Sequence, residues 1–229
     1  MKEKAFFILL LFITNSYSQE KKNNFQLSLG STIVMPKKYE STEIEPEIKS
    51  NINLGVYILP SVNHSFNKKI SLDFGLGLNL DRILIEFKSY PYLYKGARNI
   101  SQIQTPINVN FHFGKKNSYL FGIGGFSSYI LSAKIKGKRT INSNTNDGGY
   151  NYNYSVKNYY NPFNFGAYVQ LKKNISFCNK TNGFLLLKIN QFFSSKNDNG
   201  YNNPLVIESI ISDDEKEPTT INLGIGIEL

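Results

Sequence analysis

Two histidines and one cysteine, His64, His112 and Cys178, are the scarcest reactive side chains in this chain. A zinc site needs three or four Cys, His or carboxylate ligands, so these counts exclude a Cys-based module and make a multi-His metal centre a poor reading. A nucleophile and base are the next possibility: His112 and Ser128 both fall on predicted strands. Lipid hydrolysis would need that hydroxyl within hydrogen-bond reach of the imidazole, at a lipid-facing edge, with a carboxylate to orient the ring. His112 lies close to a turn and Ser128 well past it, so the two are expected at different heights. His112 then reads as a satisfied interior polar residue. Carboxylates cluster at Glu40, Glu43, Glu45 and Glu47, and again at Asp213, Asp214, Glu215 and Glu217. They lack the alternating oxygen-ligand spacing around a tight turn that calcium requires, so a solvated acidic surface is expected. No catalytic residue, metal or cofactor is predicted.

Two other groups have the composition of functional sites. Asp73, Lys134, Lys172, Lys188 and Glu228 are isolated charges in otherwise apolar, alternating segments. Lys136, Lys138 and Arg139 precede a run in which Tyr150, Tyr152, Tyr154, Tyr159 and Tyr160 are interleaved with Asn and Ser. Aromatic faces suit sugars or proteins, and cations suit the phosphates of lipopolysaccharide, so this second group is a candidate binding surface. The competing reading is a hairpin that prolongs two strands and turns at Asp147-Gly148-Gly149.

The elements that must position these groups are strands. From Ile103 to Phe113 the odd positions read Ile, Thr, Ile, Val, Phe, Phe, with Gln104, Pro106, Asn108, Asn110 and His112 between them. Residues 70–80 and 221–229 alternate as strictly, and weaker alternation marks 24–34, 53–62, 118–135, 162–172 and 183–194. A period of two puts one apolar and one polar face on each strand. The third strand runs on to Phe87, and a slip of phase at Asp81-Arg82 predicts a bulge there.

The eight strands are joined by connections that alternate in length. Residues 63–69, 114–117 and 173–182 are short, whereas 35–52, 88–101, 136–161 and 195–218 are long. Short periplasmic turns and long outer loops are the pattern of a transmembrane barrel, as are an even strand count and strands of this length. The fold class expected is therefore all-β, an eight-stranded antiparallel up-and-down transmembrane β-barrel. Its apolar faces turn to lipid, with Phe25, Phe111, Phe113, Tyr119 and Phe121 near one end and Tyr129, Phe163 and Phe193 near the other as aromatic girdles. Its inward faces carry the five isolated charges, with Gly30, Gly55, Gly75, Gly77, Gly122, Gly124, Gly166, Gly224 and Gly226 leaving room for long charged side chains. Buried charges must pair, so a plugged interior is expected rather than a conducting one.

Residues 1–18 have a basic start, an apolar run from Ala5 to Ile13, and small residues Ser16 and Ser18 before Gln19. This is the layout of a secretory signal, leaving 19–229 as the barrel domain. No Cys follows the apolar run, which argues against a lipid anchor. The formal charge of +9, from 26 Lys and Arg against 17 Asp and Glu, is spread over turns and loops of an exported chain, so nucleic acid is not an expected partner. Lysine pairs at Lys21-Lys22, Lys68-Lys69, Lys115-Lys116 and Lys172-Lys173 would ring the periplasmic rim. Cys178 reads as a lone thiol in the third short turn. At 41% hydrophobic and 14% aromatic, the chain is too apolar to be disordered.

The stretch SQIQTPINVNFHFGKKNSYLFGIGGFSSYILSAKIKG (101–137), with DFGLGLNL (73–80) and INLGIGIEL (221–229), resembles the PorT-like outer-membrane β-barrel domain of Bacteroidetes. The resemblance spans the mature chain and rests on architectural motifs. Leu229 stands where such barrels often end in an aromatic. It implies an outer-membrane location, lipid as the surroundings, and, for some relatives, a link to protein secretion. The expected role is therefore a monomeric, non-catalytic structural or interaction partner of envelope or secretion proteins. The alternatives are a small pore or transporter, a lipid hydrolase, and a soluble periplasmic lipocalin-like carrier with the apolar faces turned inward.

Overall fold

The computed structural model describes residues 23–35, 47–89, 92–141, 149–176, 182–193 and 219–229. The predicted signal segment, the acidic stretches around 40–45 and 213–217, Cys178 and the 195–218 loop lie outside them. Eleven strands appear in order: β1 (Asn23–Met35), β2 (Glu47–Ile52), β3 (Leu54–Ser65), β4 (Ile70–Gly75), β5 (Gly77–Ser89), β6 (Tyr92–Phe113), β7 (Tyr119–Ile141), β8 (Tyr150–Ser155), β9 (Phe163–Ser176), β10 (Asn182–Phe192) and β11 (Thr219–Glu228).

All pairings among the described strands are antiparallel, and they form a ring. β1 pairs with β3, β3 with β4 and β5, these with β6, β6 with β7, β7 with β9, β9 with β10, and β10 with β11. β11 returns to β1 in unbroken register from Gln26↔Glu228 to Met35↔Thr219. β4 and β5 are one staff interrupted at Leu76, whose amide still donates to the Pro60 carbonyl at 3.1 Å. The closed wall therefore has eight staves, and closure leaves no sheet edge in lipid.

Side-chain direction follows the alternation in the sequence. Leu54, Val56, Ile58, Phe74, Leu78, Ile107, Val109, Ile123, Leu187 and Ile225 all stand exposed on the outside. Gln26, Asn63, Asn79, Gln104, Asn108, Asn110, Gln170 and Asn222 are buried inside. Water would penalise such an exterior, whereas hydrocarbon does not. The apolar rows face out, which overturns the lipocalin-like alternative. The aromatic girdles are present at both ends: Phe113 and Tyr119 stack at 5.6 Å, and Tyr129 and Phe163 meet at 4.9 Å. Along β7, ten residues separate Phe121 from Leu131, so a strand tilted by ~40° covers a band about 25 Å tall.

Above that band the wall is not level. β5, β6 and β7 rise far beyond their neighbours, flanked by β2 against β5 and β8 against β7. Residues 92–101, expected within a loop, are the upper part of β6, and β7 and β8 form the predicted hairpin. Here the polarity rule inverts. The inner face carries an apolar cluster that includes Val34, Ile83, Tyr94, Ile130, Ile135 and Tyr152.

That inversion corrects two expectations. No bulge exists at Asp81-Arg82, where β5 and β6 stay in register from Gly77↔Gln104 to Ser89↔Tyr92. The apparent slip is the change from polar inside (Asn79, Asp81) to apolar inside (Ile83) as the strand leaves the membrane level. The bulge lies instead on β7, where Ser101↔Ser132 is followed by Gln102↔Ile130 and Leu131 is the extra residue.

Candidate functional site

Three of the five predicted interior charges belong to one network in the lower lumen, toward the short turns. Lys172 projects from β9 and donates to the Asp73 carboxylate on β4 at 2.6 Å and to the Gln26 side-chain carbonyl on β1 at 2.8 Å. Gln26 in turn donates to Glu228 at 3.2 Å. No two of β4, β1 and β9 are neighbours, with β3 between β4 and β1 and β11 and β10 between β1 and β9, so Lys172 crosses the lumen to reach both. Asp73 also accepts from Asn63 and, at 3.2 Å, from Gln170. Gln170, Asn108 and Tyr168 extend the chain of amides, with the Tyr168 hydroxyl donating to Asn108 at 2.6 Å.

Above this layer Lys188 is buried with its ammonium 3.9 Å from the Tyr168 ring centre and 5.9 Å from that of Phe126. The ring faces supply the negative electrostatic surface that a desolvated cation needs. One phenol thus joins the layers: its hydroxyl faces the amides and its ring faces Lys188. A space of about 10 Å³ adjoins the network, room for roughly one water.

The interior glycines answer to bulky partners. A Cβ on Gly226 would run into the Phe184 ring, one on Gly224 into Tyr57, and one on Gly166 into Phe126. The partners expected from the sequence are long charged side chains; at these three positions they are instead the rings of Phe184, Tyr57 and Phe126.

Lys134 does not belong to the interior. The extra residue Leu131 turns the rest of β7 over, so that Ala133 and Ile135 are buried and Lys134, Lys136 and Lys138 are exposed outside. Re-aiming side chains is a common consequence of a bulge. The predicted outer surface also divides. Tyr152 and Tyr160 are buried in the apolar cluster of the wing, whereas Tyr150 and Tyr154 are exposed. Arg139 donates to the Tyr150 hydroxyl at 2.8 Å and lies 5.5 Å from the Tyr94 ring centre, which holds it to the inner face. The backbone of Tyr159 lies in a short 3-10 turn, Lys157–Tyr159. Arg82 and Lys95, which no motif singled out, share the outer wall with Lys136.

His112 and Ser128 are not brought together. His112 Nε2 is 2.9 Å from the hydroxyl of Ser71, a fully buried residue that also accepts from Asn63 at 2.8 Å. Ser128 is buried on the inside, its hydroxyl without a hydrogen-bond partner among the described residues. Among the described residues no three His, Cys, Asp or Glu side chains converge as metal ligands. The lysine pair at 172–173 is split, with Lys172 inside and Lys173 outside, while Lys68, Lys69 and Lys115 are exposed at the short-turn rim.

A sequence model described as an outer membrane protein beta-barrel domain matches residues 16–186, most of the chain. The chain belongs to the outer membrane protein β-barrel domain family. Membership places it in the outer membrane, as the outward apolar belt requires. No curated protein matches the chain. Among solved structures, this family member is similar to OprG of Pseudomonas aeruginosa at 11% identity, covering 92% of this chain and 97% of that one with a TM-score of 0.42. Ail, the attachment invasion locus protein of Yersinia pestis, in complex with the heparin analogue sucrose octasulfate, matches at 12% identity, 90% and 97% coverage, and a TM-score of 0.39. The N-terminal β-barrel domain of P. aeruginosa OprF matches at 11% identity, 92% and 100% coverage, and a TM-score of 0.30.

Proposed function

We propose that this outer-membrane barrel is a non-conducting, non-catalytic scaffold that presents its outer wing and loops to other components of the envelope. The observation that carries this reading is the Lys172 ammonium, bonded across the lumen to Asp73 and Gln26. An ion pair in a confined interior resists separation, because each charge left alone would cost several kcal/mol. Eight staves make a lumen about as wide as its own side chains fill. The Ser and His groups that would support lipid hydrolysis are engaged elsewhere or apart.

The resemblance of 101–137 to the PorT-like domain favours an accessory role in protein secretion, with proteins of that assembly as partners and the barrel itself monomeric. Reconstitution into planar bilayers tests the scaffold reading. Silent insertion, with folded protein recovered from the membrane, supports it; stable unitary conductance steps assign a pore instead. Mild cross-linking in cells followed by co-purification tests the secretion link, which fails if no envelope protein is captured above a barrel control.

A further inference from the structure

The outer wall of the wing carries cations where the apolar belt stops. On β5 the outward row changes from Leu80 to Arg82, and on β7 from Leu131 to Lys134. Register makes these one level, since Arg82 pairs with Asn99 and Asn99 with Lys134. Lys136 and Lys138 follow on the same face, and Lys95 sits directly opposite Lys138. Like charges facing each other across a ladder are destabilising unless something of opposite sign intervenes.

The carboxylate of Glu86 lies 3.5 Å from Lys95 and faces the same wall. Lys134 and Lys136 have neutral cross-strand partners instead, Asn99 and Ala97 on β6, Ser155 and Asn153 on β8. Arg82, Lys95, Glu86 and Lys136 border a hollow of about 400 Å³ floored by Leu84 and Ala97. All three lysines of β7 face outward because of the Leu131 bulge; an unbulged strand would turn them into the lumen. Lys157, close by, stands 5.4 Å over the girdle residue Tyr129, a cation at head-group height.

We infer that the wall formed by Arg82, Lys95, Lys134 and Lys136 binds the phosphorylated head group of a glycolipid of the outer leaflet, a lipid A type of molecule. With the short turns in the periplasm, this wall emerges at the outer-leaflet surface. A lipid anchored in the belt by its acyl chains places its head group against the hollow without leaving the bilayer. Phosphate oxygens supply countercharge to Lys134 and Lys136, which pair with no carboxylate among the described residues, and relieve the Lys95–Lys138 opposition. The inference needs only the outer-membrane placement, so it stands whether or not the lumen conducts.

Native mass spectrometry of the folded full chain in non-ionic detergent tests it, with bis-phosphorylated and dephosphorylated lipid A as probes. The phosphorylated form should stay bound, and the Arg82→Gln/Lys134→Gln/Lys136→Gln variant should bind it at least about tenfold more weakly. The matching Arg82→Lys/Lys134→Arg/Lys136→Arg variant should retain it. A Lys68→Gln/Lys69→Gln/Lys115→Gln variant removes as much charge from the opposite rim and should bind as the parent does. Equal binding of dephosphorylated lipid A, equal loss in both glutamine variants, or displacement by inorganic phosphate at comparable concentration would each overturn the assignment. Heat-modifiable migration on a gel confirms that every variant is folded before it is scored.

Discussion

Lys172 and Asp73 lie 99 residues apart in sequence, yet their side chains meet at 2.6 Å across the lumen. Both are almost fully buried, and the strands that carry them are separated around the wall by β6 and β7. The bond therefore works as a strut between opposite walls.

Breaking the strut from one side should be costly. Lys172→Met leaves the Asp73 carboxylate buried without its cation, and a loss of about 3–5 kcal/mol is expected. Adding Asp73→Asn should recover part of that loss, because the uncompensated charge is then gone. Urea titration of the refolded proteins in lipid vesicles, arranged as a double-mutant cycle, measures the coupling. Simple addition of the two single losses would show that the pair does not interact.

Packing around the interior glycines makes a second expectation. Gly226→Ala drives a methyl into the Phe184 ring and should destabilise by about 1–3 kcal/mol, as overpacking generally does. Phe184→Leu in the same chain should restore part of the stability by freeing that space. The midpoint of loss of heat-modifiable migration, read as a function of temperature, compares the three variants.

The bulge makes a third. In a Cys178→Ser background, Lys134→Cys should react quickly with a membrane-impermeant thiol reagent, and Ile135→Cys should be protected, being buried in the apolar cluster. Deleting Leu131 removes the extra residue and leaves Ile130 opposite Gln102 and Ser132 opposite Ser101, so Lys134→Cys should stay reactive and Ile135→Cys protected. An exchange of the two reactivities after the deletion would place the irregularity elsewhere.

Much of this was legible before any coordinates. Ile103 to Phe113 announces a strand with one greasy face, and Ile107, Val109 and Phe111 do point outward while Asn108 and Asn110 point in. The period-two rule is local, so it survives without knowledge of partners. What remained hidden was the level at which the surroundings change. Tyr129, Leu131 and Ile135 read as one lipid-facing row, because Ala133 between them is small and apolar. Above the rim water replaces lipid outside, so an apolar residue must turn inward, and the Leu131 bulge performs that turn on β7. On β5 the same inversion happens without a bulge, through composition alone at Asp81, Arg82 and Ile83. The partners of Lys172 were equally out of reach, since pairing across a lumen depends on the ring order of all the strands.

The central claim, apolar rows outside and a bonded polar interior, is tested most directly by spin-label accessibility in lipid vesicles. Single cysteines replace Ile123, Leu187 and Ile225, or Asn110, Gln170 and Asn222, in the Cys178→Ser background. Labels at the first three positions should collide readily with oxygen, which concentrates in lipid. Labels at the second three should be shielded from oxygen and from a water-soluble nickel complex alike. The reverse ordering, with Ile123, Leu187 and Ile225 shielded and the polar positions open to lipid, would contradict the outward belt and the membrane placement drawn from it.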